Sequence, residues 1–212
     1  MILYYGADEK VIKPEYQKGS PKNDYGLGFY MTPSFEMAKI WASNFKNGGY
    51  AIKYEVDLDD AEVLNIDGND ELSILKWATI LIKHRFDFTK REKLASEFNF
   101  LQEHFPISLD FTDFVIGYRA DDSYFSYMNS FLENDLSLEA LSKAMRLGKL
   151  GLQYVAISKK AFSRIKFLSS EFVPPSIQYD KLQKEIKNEY LKIKEEDKIT
   201  NTFLRDIMRK YE

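Results

Sequence analysis

The sequence predicts an α+β protein: a compact split β-sheet core with inserted helices, followed by a charged helical C-terminal extension. Three observations carry this reading. Short apolar runs bounded by turn residues, such as "YAIKYEV" at 50–56, "FVIGY" at 114–118 and "LQYVAIS" at 152–158, read as strands. Between them, apolar residues recur at helical spacing, as in Phe35, Ala38, Trp41, Ala42 and Phe45. Past Pro174-Pro175 glycine disappears and charged residues dominate, which divides the chain into a core at 1–172 and an extension at 176–212.

Taken in order, residues 2–5 form a first short strand that ends at Gly6, before a polar loop that runs to Asp24. Residues 27–31 form a second strand. Thr32 then suits an N-cap, with Pro33 at the first helical position, where a missing N–H does no harm. That helix stops at Asn47-Gly48-Gly49. After the strand at 50–56, a short strand at 62–66 leads to the Asp67-Gly68-Asn69-Asp70 turn. Leu72, Leu75, Trp77, Ala78, Ile80, Leu81 and Ile82 leave little polar face, so the next helix is expected to be well buried. His84 and Arg85 close it, where cations suit the helix dipole. A charged helix at 90–103 is ended by Pro106, and two more helices at 123–133 and 137–147 follow the "FVIGY" strand. A helical turn at 159–164 and a last strand at 165–168 complete the core. In the extension, Leu182, Ile186, Leu191 and Ile193 form one narrow stripe, and Leu204, Ile207, Met208 and Tyr211 another. Such stripes fit either helices packed on the core or a partner-binding arm.

Composition narrows the function. With 44% hydrophobic and 15% aromatic residues over 212 positions, the chain can bury a sizeable core. Its 30 basic and 33 acidic residues leave a net charge of −3, which gives no nucleic-acid footprint. The absence of cysteine excludes disulfides, thiolate nucleophiles and cysteine-ligated zinc, and suits a reducing cytoplasm. His84 and His104 are the only histidines, which disfavours a metal site. The apolar block at 77–82 is far shorter than the ~20 residues of a membrane-spanning helix. The N-terminal residues run straight into a strand, with no apolar signal region. A cytoplasmic protein with no membrane partner and no metal is expected.

The least random stretch is "DYGLGFYMTPSFEMAKIWA" at 24–42. Gly26 and Gly28 permit positive φ or close backbone approach. Tyr30 faces either core or cleft, and Thr32 sets a hydroxyl at a helix start. Alone, a Gly-x-Gly step is weak. Its companions are "LYYGA" at 3–7, "IGYRADD" at 116–122 and "MRLGKLGLQYVAIS" at 145–158. In this order, Tyr5-Gly6, Gly28-Phe29-Tyr30 and Gln153-Tyr154 resemble the three-part signature of the ADP-ribosyltransferase superfamily, in its diphtheria-toxin and poly-ADP-ribose-polymerase branch. The longer phrases look like a bacterial family of domains of unknown function within that superfamily.

The resemblance implies a split β-sheet ADP-ribosyltransferase-like core over residues 1–172, with NAD as substrate and no metal. Such enzymes break the bond between nicotinamide and ribose through an oxocarbenium-like transition state. It further implies that Tyr30 stacks on the nicotinamide and the Gly6 backbone holds its amide, while Tyr5 and Thr32 contact the riboses. Arg119 pairs with the pyrophosphate or is a surface charge. The partner is then a macromolecular acceptor, protein or nucleic acid, and an antitoxin would fit a bacterial toxin or phage-defence effector.

Two positions depart from the pattern. Tyr5 stands where the branch carries histidine, and Gln153 where it carries its catalytic glutamate. A carboxylate about 4 Å from a unit positive charge is worth roughly 4 kcal/mol at an effective dielectric near 20. That is roughly three decades in rate. Asp121 and Asp122 are the candidate replacement acids, or else they cap the next helix. The alternative functions are a catalytically silent NAD- or nucleotide-binding module, and an interaction protein that works through its C-terminal helices.

Overall fold

Alternating apolar residues set the first sheet. β1 (Ile2–Ala7) buries Leu3 and Ala7 and pairs antiparallel with β3 (Gly49–Val56), which pairs antiparallel with β7 (Ile165–Val173). The computed structural model describes residues 1–86, 91–120, 122–147 and 151–211, and for 122–125 the backbone alone. Within them a second sheet has the order β2 (Phe29–Met31), β6 (Leu152–Ala156), β5 (Phe114–Tyr118) and β4 (Val63–Asn65). Only the β4–β5 pair in that sheet is parallel. The sheets join where Tyr4 and Thr32 exchange two backbone hydrogen bonds of 2.8 Å each. Leu3, Met31, Ile52, Tyr54, Phe114 and Ala156 then fill the space between them as one apolar cluster.

Eight α-helices surround the sheets among the described residues. α1 (Phe35–Ser43) lies on β1 and β3. α2 (Glu71–Arg85) is the buried helix that its apolar run predicts. It hides Ile74, Leu75, Trp77, Ile80, Leu81 and Ile82, each worth roughly 1.5–3 kcal/mol when fully buried. Asp70 caps it by accepting from the Ser73 amide at 3.0 Å. α3 (Ala95–His104), α4 (Asp122–Leu132) and α5 (Leu138–Ala144) complete that larger core, and α6 (Lys159–Ser163) leads into β7.

The structure departs from the sequence expectations at several places, one being that α1 ends at Ser43, with Asn44 as its C-cap, and not at Asn47. α1 is capped by Ser34, whose hydroxyl accepts from the Met37 amide at 3.2 Å, and not by Thr32. Thr32 stays in its bridge to Tyr4, and its hydroxyl is taken by the Ser34 amide at 3.2 Å, so the helix starts two residues later than expected. The strand expected at 27–31 starts at Phe29. The charged helix expected from 90 begins at Ala95 after a short 3-10 turn at Glu92–Leu94, and residues 87–90 lie outside the described residues. The last strand runs on to Val173, because β3 pairs with it along its whole length.

The extension forms α7 (Gln178–Glu196) and α8 (Leu204–Arg209). Ile186, Leu204 and Ile207 are fully buried in the larger core, so both stripes are packed on the parent structure. Leu191, on the first stripe, stays 46% exposed.

Candidate functional site

A cleft of about 840 Å³ opens beside the junction of the two sheets. Its size falls in the range of small-molecule and cofactor sites. Residues from both sheets, from α1, from the end of α2 and from the 8–24 loop line it.

At its base is one buried carboxylate. Asp24, 6% exposed, accepts from Arg85 Nη1 at 2.8 Å through Oδ1. Its Oδ2 accepts from Gln153 Nε2 at 2.8 Å and from the Ala120 amide at 2.9 Å. Arg85 Nη1 also donates to the Ala120 carbonyl at 2.6 Å. Asp24 thus ties together the loop before β2, the end of α2, the exit of β5 and the start of β6. Burial pushes its carboxyl above the ordinary value, opposed by the Arg85 charge and by the Gln153 and Ala120 donors.

An aromatic wall stands next to this hub. The Tyr30 hydroxyl donates to the Gly26 carbonyl at 2.7 Å and accepts from the Tyr25 amide at 3.0 Å, while its ring stacks on Tyr25. Tyr25 in turn donates to the Tyr118 carbonyl at 2.7 Å. Gly26 has φ +77°, and a Cβ there would come within 2.7 Å of the His84 ring. Tyr5 packs its ring 4.6 Å from that of Phe29. Among the described residues its hydroxyl makes no hydrogen bond, and burial, then Asp8 and Glu9, hold it protonated. A Cβ on Gly6 would lie 2.3 Å from the Ala38 carbonyl oxygen, so only glycine lets β1 sit this close to α1. That approach sets Trp41 into the wall. Arg119 lies over Trp41, its Cζ 4.1 Å from the ring centroid, and its charge joins that of Arg85 in opposing the effect of burial on Asp24.

The structure therefore brings Tyr5, Gly6, Gly28, Phe29, Tyr30, Arg119 and Gln153 to one cleft. Thr32 does not line it: the residue is 1% exposed and its hydroxyl accepts from the Ser34 amide. Asp122 opens α4, its side chain outside the description, and Asp121 lies outside the described residues. No group of three or more acidic or histidine side chains that could hold a metal occurs among the described residues. Nor is any described helix long and apolar enough to cross a membrane.

The family described as "Protein of unknown function (DUF3990)" matches residues 1–167. The chain belongs to that family. No curated protein and no solved structure matches it. The part of this DUF3990 protein that matches contains Tyr5, Asp24, Tyr30, Arg85, Arg119 and Gln153, and ends before α7.

Sequence reasoning missed two residues of this cleft, Asp24 and Arg85. Asp24 opens the very stretch singled out for its glycines, and an acid flush against a Gly-x-Gly-aromatic step was the available signal. Arg85 carried no such signal, since nothing local says where the last turn of a buried helix points.

Proposed function

We propose that this protein cleaves NAD between nicotinamide and ribose and transfers ADP-ribose to a macromolecular acceptor, in the manner of a bacterial toxin or phage-defence effector. The observation that carries it is convergence: Tyr5-Gly6, Gly28-Phe29-Tyr30 and Gln153, far apart in the chain, line one cleft together with a cation, Arg119, that lies over Trp41. In such a reaction the C1′–N bond breaks with its electron pair going to the nicotinamide ring. The acceptor's lone pair then bonds to C1′, and the acceptor's proton passes to solvent.

The chain offers matching groups. Tyr30 provides aromatic surface for a flat ring, with Phe29 behind the Tyr5 ring in the inter-sheet core, and the protonated Tyr5 hydroxyl can donate to a ribose oxygen. Arg119, held flat on Trp41, suits a pyrophosphate.

A second reading is favoured by Gln153, which brings no charge of its own: a DUF3990 domain that binds NAD without turning it over. One experiment separates them. Incubation with NAD labelled separately in the nicotinamide and adenine halves should give free nicotinamide and adenine label on protein or RNA. A silent module gives neither, yet is still stabilised by NAD, by about 2.7 kcal/mol at a hundredfold excess over Kd. Absence of any thermal shift at millimolar NAD rejects both.

A further inference from the structure

We propose that Asp24 is the positioning residue that locks Gln153 as a hydrogen-bond acceptor facing the cleft, so that a buried carboxylate acts through a neutral amide. The inference rests on the NAD reading and says how that site works without a glutamate at position 153.

Orientation follows from the donors. Gln153 Nε2 lies 2.8 Å from Asp24 Oδ2. Reversing the amide sets Oε1 against the same oxygen, two acceptors with no proton between them, so an ionised Asp24 admits one orientation. Oε1 is left as the free atom of the amide, and among the described residues it accepts no hydrogen bond.

Asp24 cannot do this work directly. Arg85 holds one oxygen, Gln153 and Ala120 hold the other, and the side chain is 8% exposed. Its charge reaches the cleft by polarising the Gln153 amide, which raises the negative character of Oε1. The lever is rigid, because Gln153 on β6 pairs with Gly117 of β5, and β6 is flanked by β2 and β5.

The test uses the full chain as wild type, Asp24→Asn, Gln153→Glu and the double variant. Asp24→Asn is expected to lower kcat for nicotinamide release by about a hundredfold. Its KM for NAD should stay within about threefold. Gln153→Glu alone sets a second carboxylate beside the first, which they cannot both occupy ionised. It should lose activity at neutral pH and gain a new step in its pH profile. The double variant restores one charge and one neutral amide, and should exceed either single variant by about tenfold or more.

A Gln153→Glu variant more active than wild type overturns the proposal, since position 153 is then a lone acid site. So does a double variant no better than its parents. The Gln153 side-chain amide signals in nitrogen-15 NMR of the wild type need no variant and no NAD. They should be shifted downfield and protected from exchange, and should move with the titration of Asp24. Signals at free-glutamine positions overturn the orientation even if Asp24→Asn fails to fold. If the wild type neither binds nor cleaves NAD, the NAD reading falls, and these signals still decide the orientation.

Discussion

Tyr30 uses its hydroxyl inside the protein: it closes the turn from Tyr25 to Gly26 and so holds Asp24 at the cleft base. Tyr30→Phe keeps the ring yet leaves a carbonyl and an amide short of a partner. It should lower stability by about 1–3 kcal/mol, read as a shifted urea midpoint at constant slope. A midpoint within error of wild type would mean that the turn holds itself. His84 backs the same turn. Burial, then Lys83, pull its pKa below the ordinary imidazole value, and among the described residues its buried Nε2 has no hydrogen-bond partner. The folded pKa is below the unfolded one, so this stability is present above about pH 6.5 and is lost as pH falls through the folded value. Unfolding midpoints should drop between about pH 7.5 and 5. His84→Gln should flatten that drop, and an unchanged slope assigns it to the carboxylates. Residue chemistry was the less legible part of the sequence. Tyr5, Gly6, Tyr30 and Gln153 were found because local motifs marked them. The Asp24–Arg85 pair spans 61 positions, and no local pattern encodes such a contact.

Elements were more legible, since a strand or helix declares itself by its own periodicity. β3 follows from alternation, β5 and β6 from short apolar runs, and α2 from an apolar run too long for a strand. β7 was read short because its second half, Ser169-Ser170-Glu171, is polar. Pairing with β3 carries it on, at the open edge of a sheet where side chains meet solvent. The β1–α1 contact makes the sharpest element-scale prediction. A Cβ on Gly6 meets the Ala38 carbonyl oxygen at 2.3 Å and the Ala42 nitrogen at 2.9 Å, both backbone atoms that no rotamer change can move. Gly6→Ala should destabilise by about 3 kcal/mol. Because Trp41 rides on α1, the emission of that indole should shift in the folded variant as well. A stable Gly6→Ala chain with unaltered emission would show that α1 can slide on β1.

For the whole molecule, the decisive fact is that the charged extension closes the larger core. Ile186 is fully buried, so Ile186→Ala should cost about 2–5 kcal/mol, against about 0.5 kcal/mol or less for a solvated arm. Thermal unfolding monitored on the full chain distinguishes the two. The strand order has a consequence in time. β1 cannot complete its sheet until β7 arrives, and β2 reaches β5 only through β6, so the cleft joins residues made early and late. At ribosomal speed the interval between Tyr30 and Gln153 is on the order of ten seconds. Through that interval the nascent chain carries the aromatic wall without the amide or the strand that seats it. A stalled ribosome, or a chain cut before β6, leaves half a wall and no cleft, however complete its N-terminal half.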